Sequence, residues 1–162
     1  MTTPHLVADI SRDEGLRLKA YPDPESALGK AIQLGMTRLH GLSGEPWTCG
    51  YGCTGPDVHE GTVWTLAEAE RRRDAKIAES IAELDAKAHW WRSLCDARQD
   101  VLANMHFNMG WARLSGFTKA LAAMRAYDYE AAAREMLDSR WATQVRGRAK
   151  RLAEQMRTGR RA

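Results

Sequence analysis

Glu14, Asp23 and Thr48 are the residues of this chain whose types and order could do chemistry. Glu14 falls where a helix should stop, because Gly15 follows it and glycine is the commonest residue just past a helix terminus. A carboxylate there faces the negative end of the helix dipole, which disfavours its ionised form. Asp23 stands in the turn Pro22-Asp23-Pro24, an open polar setting that keeps a carboxylate ionised. Two carboxylates in such unlike surroundings divide into an acid and a base. Thr48 adds a small hydroxyl able to orient a water. Breaking a glycosidic bond needs these parts: a proton for the leaving oxygen, and a carboxylate to activate water or attack the sugar carbon. On this reading Glu14 donates, Asp23 accepts, and no metal or cofactor is required.

The elements that must position these residues can be read around them. A first helix is expected over about residues 4–14, with Pro4 suited to the first helical position and Leu6, Val7 and Ile10 on one face. From Leu16 to about Thr62 the helical pattern breaks down. Glycines and prolines recur there, and short alternating stretches such as TCGYG indicate strands. Thr65 to Glu68 forms a capping box that opens a connecting helix over about 65–88. Beyond it every segment reads as helix: about Leu94 to Met109 closed by Gly110, Thr118 to Tyr127, Tyr129 to Asp138 capped by Asp128, and Trp141 to Arg157 ended by Gly159, after which the chain end is expected to fray. The expected fold is α+β in a single domain over 1–162: a small mixed strand-and-loop lobe (16–64), the connecting helix, an all-helical lobe (89–162), and a cleft between the lobes.

Composition narrows the class. The chain has 162 residues, 44% hydrophobic and 28% charged, the profile of a soluble globular domain able to bury a core. No apolar run approaches the roughly 20 residues needed to cross a bilayer, and the N-terminus has neither the basic start nor the apolar core of a secretory signal. Synthesis and folding in a cytoplasm are expected, with a separate pore giving access to any substrate outside. The net charge of +3 is uneven: from Arg140 onward Arg and Lys far outnumber the single acid Glu154, a face suited to polyanions (nucleic acid, acidic envelope polymers or lipid headgroups) or, for about half of these residues, simply a solvated helix surface. Cys49, Cys53 and Cys95 are too sparse for a disulfide scaffold and read as free thiols. His40, Cys49, Cys53 and His59 offer zinc-type ligands, but their spacing matches no compact finger pattern.

Four motifs in order carry a resemblance: DEGLRLKAYPD, TCGYGCTG, NMHFNMG and SRWATQVRGRAKR. They resemble the phage lysozyme family, glycoside hydrolase family 24, whose best-known member is the T-even phage lysozyme. The resemblance covers nearly the whole chain and implies a lysozyme-like fold. It also implies a muramidase that cuts the glycan strand of peptidoglycan after N-acetylmuramic acid, as a phage endolysin does when it lyses a host. Glu14 then falls on the family's general acid, Asp23 on its second carboxylate and Thr48 on the threonine that helps hold the attacking water. Trp141 and Gln144 match cleft-side positions, Arg148 a basic residue near the acid, and Asn108 is a further substrate-binding candidate. For Trp141 and Phe107 plain core packing is an equal alternative. The implied protein is a monomer acting on the cell wall, without nucleic acid, and exported through a holin-type pore.

The sequence departs from the family in two places. Cys53 stands where the hairpin usually carries histidine, a residue that looks structural in relatives. The stretch between Asp23 and Thr48 is much longer than in the T-even enzyme. Residues 24–46 include a short helix around Ala27 to Leu34 and then a glycine-rich loop, with Lys30, Arg38, His40 and Trp47 placed to touch substrate or to serve only as elaboration. Three other readings compete. A lytic transglycosylase works with one catalytic glutamate and has no use for Asp23 and Thr48. A non-catalytic wall-binding or phage structural protein would not need the triad. A nucleic-acid binder using the basic helix leaves the tryptophans and the glycine-rich lobe unexplained.

Overall fold

The computed structural model describes residues 2–161; Met1 and Ala162, the latter ending the basic C-terminus, lie outside the described residues. The α+β class expected from the sequence is what is found, with helices dominant and one two-stranded antiparallel sheet. The chain divides into two compact units, Glu14–Ala75, and Met1–Asp13 together with Lys76–Ala162.

The smaller unit holds β1 (Arg17–Pro22), α2 (Ala27–Gln33), β2 (Trp47–Gly50) and the first turns of α3 (Leu66–Lys87). In β1–β2 the register pairs Tyr21 with Thr48 and Pro22 with Trp47, with an irregularity between Arg17 and Tyr21. The chain then turns back so that Cys49 and Cys53 exchange two backbone hydrogen bonds, both 2.9 Å. A second small core forms here from Ala20, Leu28, Trp47, Cys49, Tyr51, Cys53, Val58, Trp64 and Ala69. Thr65 caps α3 by accepting the Glu68 N–H at 3.2 Å. The Glu68 carboxylate turns instead to Arg71 and Arg72, which hold it down to about 2. Arg72 also pairs with Asp57 and lies 4.2 Å over the Trp64 ring, tying the loop after the hairpin to the helix.

The larger unit is all-helical. It contains α1 (Pro4–Glu14) up to Asp13, the later turns of α3, a 3-10 turn at His89–Ser93, and α4 (Asp96–Leu114). It continues with α5 (Thr118–Arg125), α6 (Tyr129–Leu137), α7 (Arg140–Val145) and α8 (Gly147–Thr158). Leu6, Ile10, Ile77, Leu84, Trp91, Leu102, Met105, Leu114, Met124, Met136, Leu152 and Met156 fill its core at near-zero exposure. The Asp128 and Ser139 side chains cap α6 and α7, each accepting a backbone N–H three residues on.

Three expectations are extended or corrected. The helix does break at Gly110 (φ 71°, ψ 169°), as expected, but a further helical stretch follows directly and carries Leu114 into the core. The expected Trp141–Arg157 helix is two helices, broken where Arg146 adopts φ 46° and ψ −105°. The break falls at Arg146-Gly147, and beyond it α8 docks on α4 and α6. The C-terminal end is also tied down rather than frayed. Arg161 bonds to buried Asp100 at 3.0 Å, and Arg98 donates to the Met156 and Arg157 carbonyls while stacking 3.3 Å over Tyr129. Burial pushes the Asp100 carboxyl up, opposed by its bonds to Thr3 and Arg161. Among the described residues, no helix is long and apolar enough to cross a membrane.

Candidate active site

Glu14 is the last residue of α1, and Gly15 behind it takes φ 67°, the left-handed value that ends the helix. Its carboxylate lies against the turn after β2. A Cβ built on Gly52, itself at φ 70°, would sit 2.8 Å from Glu14 Oε2. Glycine at 52 therefore serves two ends: it makes the turn, and it leaves room for the carboxylate. Glu14 is half-buried there.

Asp23 follows the end of β1. Its backbone N–H donates to the carbonyls of Gly44 and Pro46, both at 3.1 Å, and its Oδ1 accepts the Glu25 N–H at 2.6 Å. That last bond is an Asx-turn, which fixes the side-chain torsion as well as the backbone. Thr48 lies in β2 directly opposite Tyr21, so the two side chains share one face of the sheet.

Tyr21 links these groups electrostatically. Burial pushes its hydroxyl pKa up; Arg17, whose guanidinium is 4.5 Å from the ring centre, pulls it down; and the charges of Glu14, Cys49 and Asp23 push it up again. Both carboxylates thus act on one half-buried phenol next to Thr48. Sequence reasoning missed Tyr21 and Gly52, although the alternation in LKAYP and the repeated glycines of TCGYG were the signals available.

The other candidate residues lie in the helical unit. Asn108, Trp141 and Gln144 line one cavity of about 580 Å³, together with Arg113, Phe117 and Arg140. Trp141 is buried and meets Phe117 edge-on at 6.0 Å. Its Nε1–H donates to Asn108 Oδ1 at 2.8 Å, which leaves the Asn108 amide hydrogens as the polar group this pair can offer a ligand. Gln144 is exposed at the rim. Arg148 does not line this cavity. It is buried, donating to Asn104 Oδ1 at 2.9 Å and lying 3.3 Å from Asp13 Oδ2. In the inserted segment Lys30 pairs with Glu25 at 3.2 Å, and Trp47 is buried in the small core rather than presented to a ligand.

The zinc-type residues do not assemble: Cys49 and Cys53 are buried, His40 and His59 are exposed, and no group of three or more metal-binding side chains occurs among the described residues. Burial raises the Cys49 thiol pKa, a setting for an inert sulfur. The basic C-terminus is more neutralised than its sequence implies. Arg151 holds Asp13, Arg157 holds Glu154 and Glu130, and Arg161 holds Asp100. Arg140, Arg146, Lys150 and Arg160 have no acidic partner within 4.0 Å among the described residues, and they carry whatever exposed field remains.

Glu14, Asp23 and Thr48 all lie in the smaller unit, on or beside its two strands, and the family of the chain is known by comparison. The chain belongs to the phage lysozyme family, matched over residues 11–162, and its fold is lysozyme-like. It is similar to the pre-baseplate central spike protein Gp5 of Enterobacteria phage T4, 32% identical over 163 residues. That alignment covers 93% of this chain but 27% of the spike protein, so the chain spans about a quarter of that relative's length.

Proposed function

We propose that this protein is a muramidase hydrolysing the β-1,4 bond between N-acetylmuramic acid and N-acetylglucosamine in peptidoglycan, with inversion at the anomeric carbon. The observation that carries this is Glu14, Asp23 and Thr48 arranged around the β1–β2 hairpin of a phage lysozyme fold. Glu14 gives its proton to the glycosidic oxygen as the C1–O bond breaks. A water held by Thr48 and Asp23 forms the new bond to C1 from the opposite face, and Asp23 takes that water's proton. A threonine hydroxyl beside the second carboxylate has a use if a water stands between Asp23 and the sugar, and none if Asp23 attacks directly. The inverting arrangement calls for carboxyl groups roughly 6.5–9.5 Å apart. Asn108, Trp141 and Gln144 are proposed as substrate contacts in the helical unit, and Arg148 as a residue that supports them from within the core. Host lysis is the biological role proposed, with peptidoglycan as substrate, acidic envelope polymers touching the exposed C-terminal cations, and a separate pore giving access to the wall.

Analysis of the products from purified peptidoglycan tests this. Ordinary reducing muramic acid, appearing first as the α-anomer, is the expected result. Anhydro-muramic ends would make the protein a lytic transglycosylase, and a first-formed β-anomer would make Asp23 the nucleophile. Glu14→Gln keeps the shape but loses the proton, so the rate should fall about 10²–10⁴-fold with an unchanged thermal transition. Near-native activity in that variant removes Glu14 from the role.

One observation favours a second reading. The similar T4 protein is by name a pre-baseplate central spike protein. The domain can therefore serve a phage particle instead of free lysis, either as a wall-cutting or as a non-catalytic part. Finding the chain in purified particles, with or without activity on peptidoglycan, separates these roles.

A further inference from the structure

We infer that the inserted segment, residues 24–46, is a positioning device for Asp23, with Gly29 and Ser26 as its working residues; this rests on the reading of Asp23 as the base. Both arms of the insertion converge on that one residue. From the first arm, the Ser26 N–H and Ser26 hydroxyl donate to the Asp23 carbonyl at 3.0 and 2.6 Å. The same hydroxyl accepts the Gly29 N–H at 2.9 Å, so Ser26 caps α2 and grips Asp23 at once. From the second arm, the Gly44 and Pro46 carbonyls take the Asp23 N–H. The arms are joined to each other by the Leu28 N–H bond to the Ser43 carbonyl at 2.9 Å.

Gly29 shows how close the approach is. A Cβ there would lie 2.0 Å from the Asp23 carbonyl oxygen and 2.9 Å from the Asp23 carbonyl carbon and the Pro24 Cα. These are backbone atoms, so no rotamer change relieves the contact. Reaching ordinary van der Waals distance requires the Asp23 peptide or α2 to move by more than about 1 Å. The same peptide bears the carboxylate whose Oδ1 is engaged by Glu25, and Oδ2 accepts no hydrogen bond from the described residues. A base that must aim one oxygen at a water tolerates little movement: misplacement by about 1 Å can cost on the order of 10²-fold in rate. The insertion is thus a brace for the base, and Gly29 and Ser26 act through Asp23 without touching substrate.

The experiment measures kcat and KM for reducing-end release from purified peptidoglycan by the full chain, for Gly29→Ala, Ser26→Ala, Ser26→Thr and Asp23→Ala, below each variant's thermal transition. Gly29→Ala is expected to lower kcat by about 10²-fold with KM little changed, because the substrate contacts are intact while the base is misaimed. Ser26→Ala should lower kcat in the same way, and Ser26→Thr, which keeps the hydroxyl, should restore it. If Gly29→Ala does not fold, the Ser26 pair decides. Native kcat in Gly29→Ala or Ser26→Ala, or a loss confined to KM, overturns the inference. Full activity in Asp23→Ala overturns the assignment of the base itself, and the inference with it. An inactive Asp23→Ala beside an undamaged Gly29→Ala overturns the inference alone.

Discussion

Asp13, the residue before Glu14, is the anchor of the last turn of α1, and replacing it by Asn removes its charge with little change of shape. Its side chain is 4% exposed. Arg151 Nη2 donates to both of its oxygens at 2.6 and 2.7 Å, Arg148 lies 3.3 Å away, and Asn104 Nδ2 donates to Oδ2 at 3.1 Å. Removing one partner of a buried ion pair costs about 3–5 kcal/mol, because the remaining charge stays in a poorly solvated place. Arg151 keeps 20% exposure, so water screens part of the loss and the lower end applies. For a chain of this size about 3 kcal/mol corresponds to roughly 6–12 °C in Tm. Calorimetry at neutral pH measures it, and added salt should restore little, because buried pairs are weakly screened. Arg71→Ala is the control: it breaks the solvated Arg71–Glu68 pair and should leave the melting temperature nearly unchanged. An Asp13→Asn variant no less stable than that control refutes the reasoning.

Other outcomes follow from the same geometry. Deleting Thr158 to Ala162 takes Arg161 from buried Asp100 and should lower stability by about 1–3 kcal/mol; an unchanged melting curve would show that the Asp100–Arg161 bond is incidental. His106 is buried and bonded to Glu83 at 2.9 Å, and burial holds its pKa below the ordinary 6.5. The unfolded chain therefore takes up this proton first, so the stability His106 contributes is present above about pH 6.5 and is lost as pH falls through the lowered folded value. His106→Gln should flatten the acid side of a Tm-versus-pH plot, and an unaltered slope counts against it. Gly52→Ala should damage activity by about 10–10²-fold through displacement of the Glu14 carboxylate; a fully active variant means the carboxylate has another resting place.

Much of the architecture was legible because local chemistry dictates it. Gly15, Thr65, Asp128 and Gly159 announce helix ends through φ preference and capping, and the structure uses all four in that way. The break at Gly110 was legible, but the helical stretch that follows it and the break at Arg146 were not. Gly110 takes the positive φ that glycine favours and a short helical stretch follows it, while Arg146, a residue that rarely adopts positive φ, breaks the last segment just before Gly147.

The candidate site divides along the same line. The sequence by itself determined which carboxylates and which hydroxyl are offered, in what order, and in what local turn or helix end, since residue type and short-range capping are properties of the chain alone. Only the tertiary structure decided what holds them. It brought Gly52 against Glu14, set Tyr21 across from Thr48, closed both arms of residues 24–46 on Asp23, and buried Arg148 beside Asp13 and Asn104. Apart from Ser26 and Gly29, which lie close to Asp23 along the chain, each of these joins segments far apart in sequence, and no pattern along one segment records the shape of its partner.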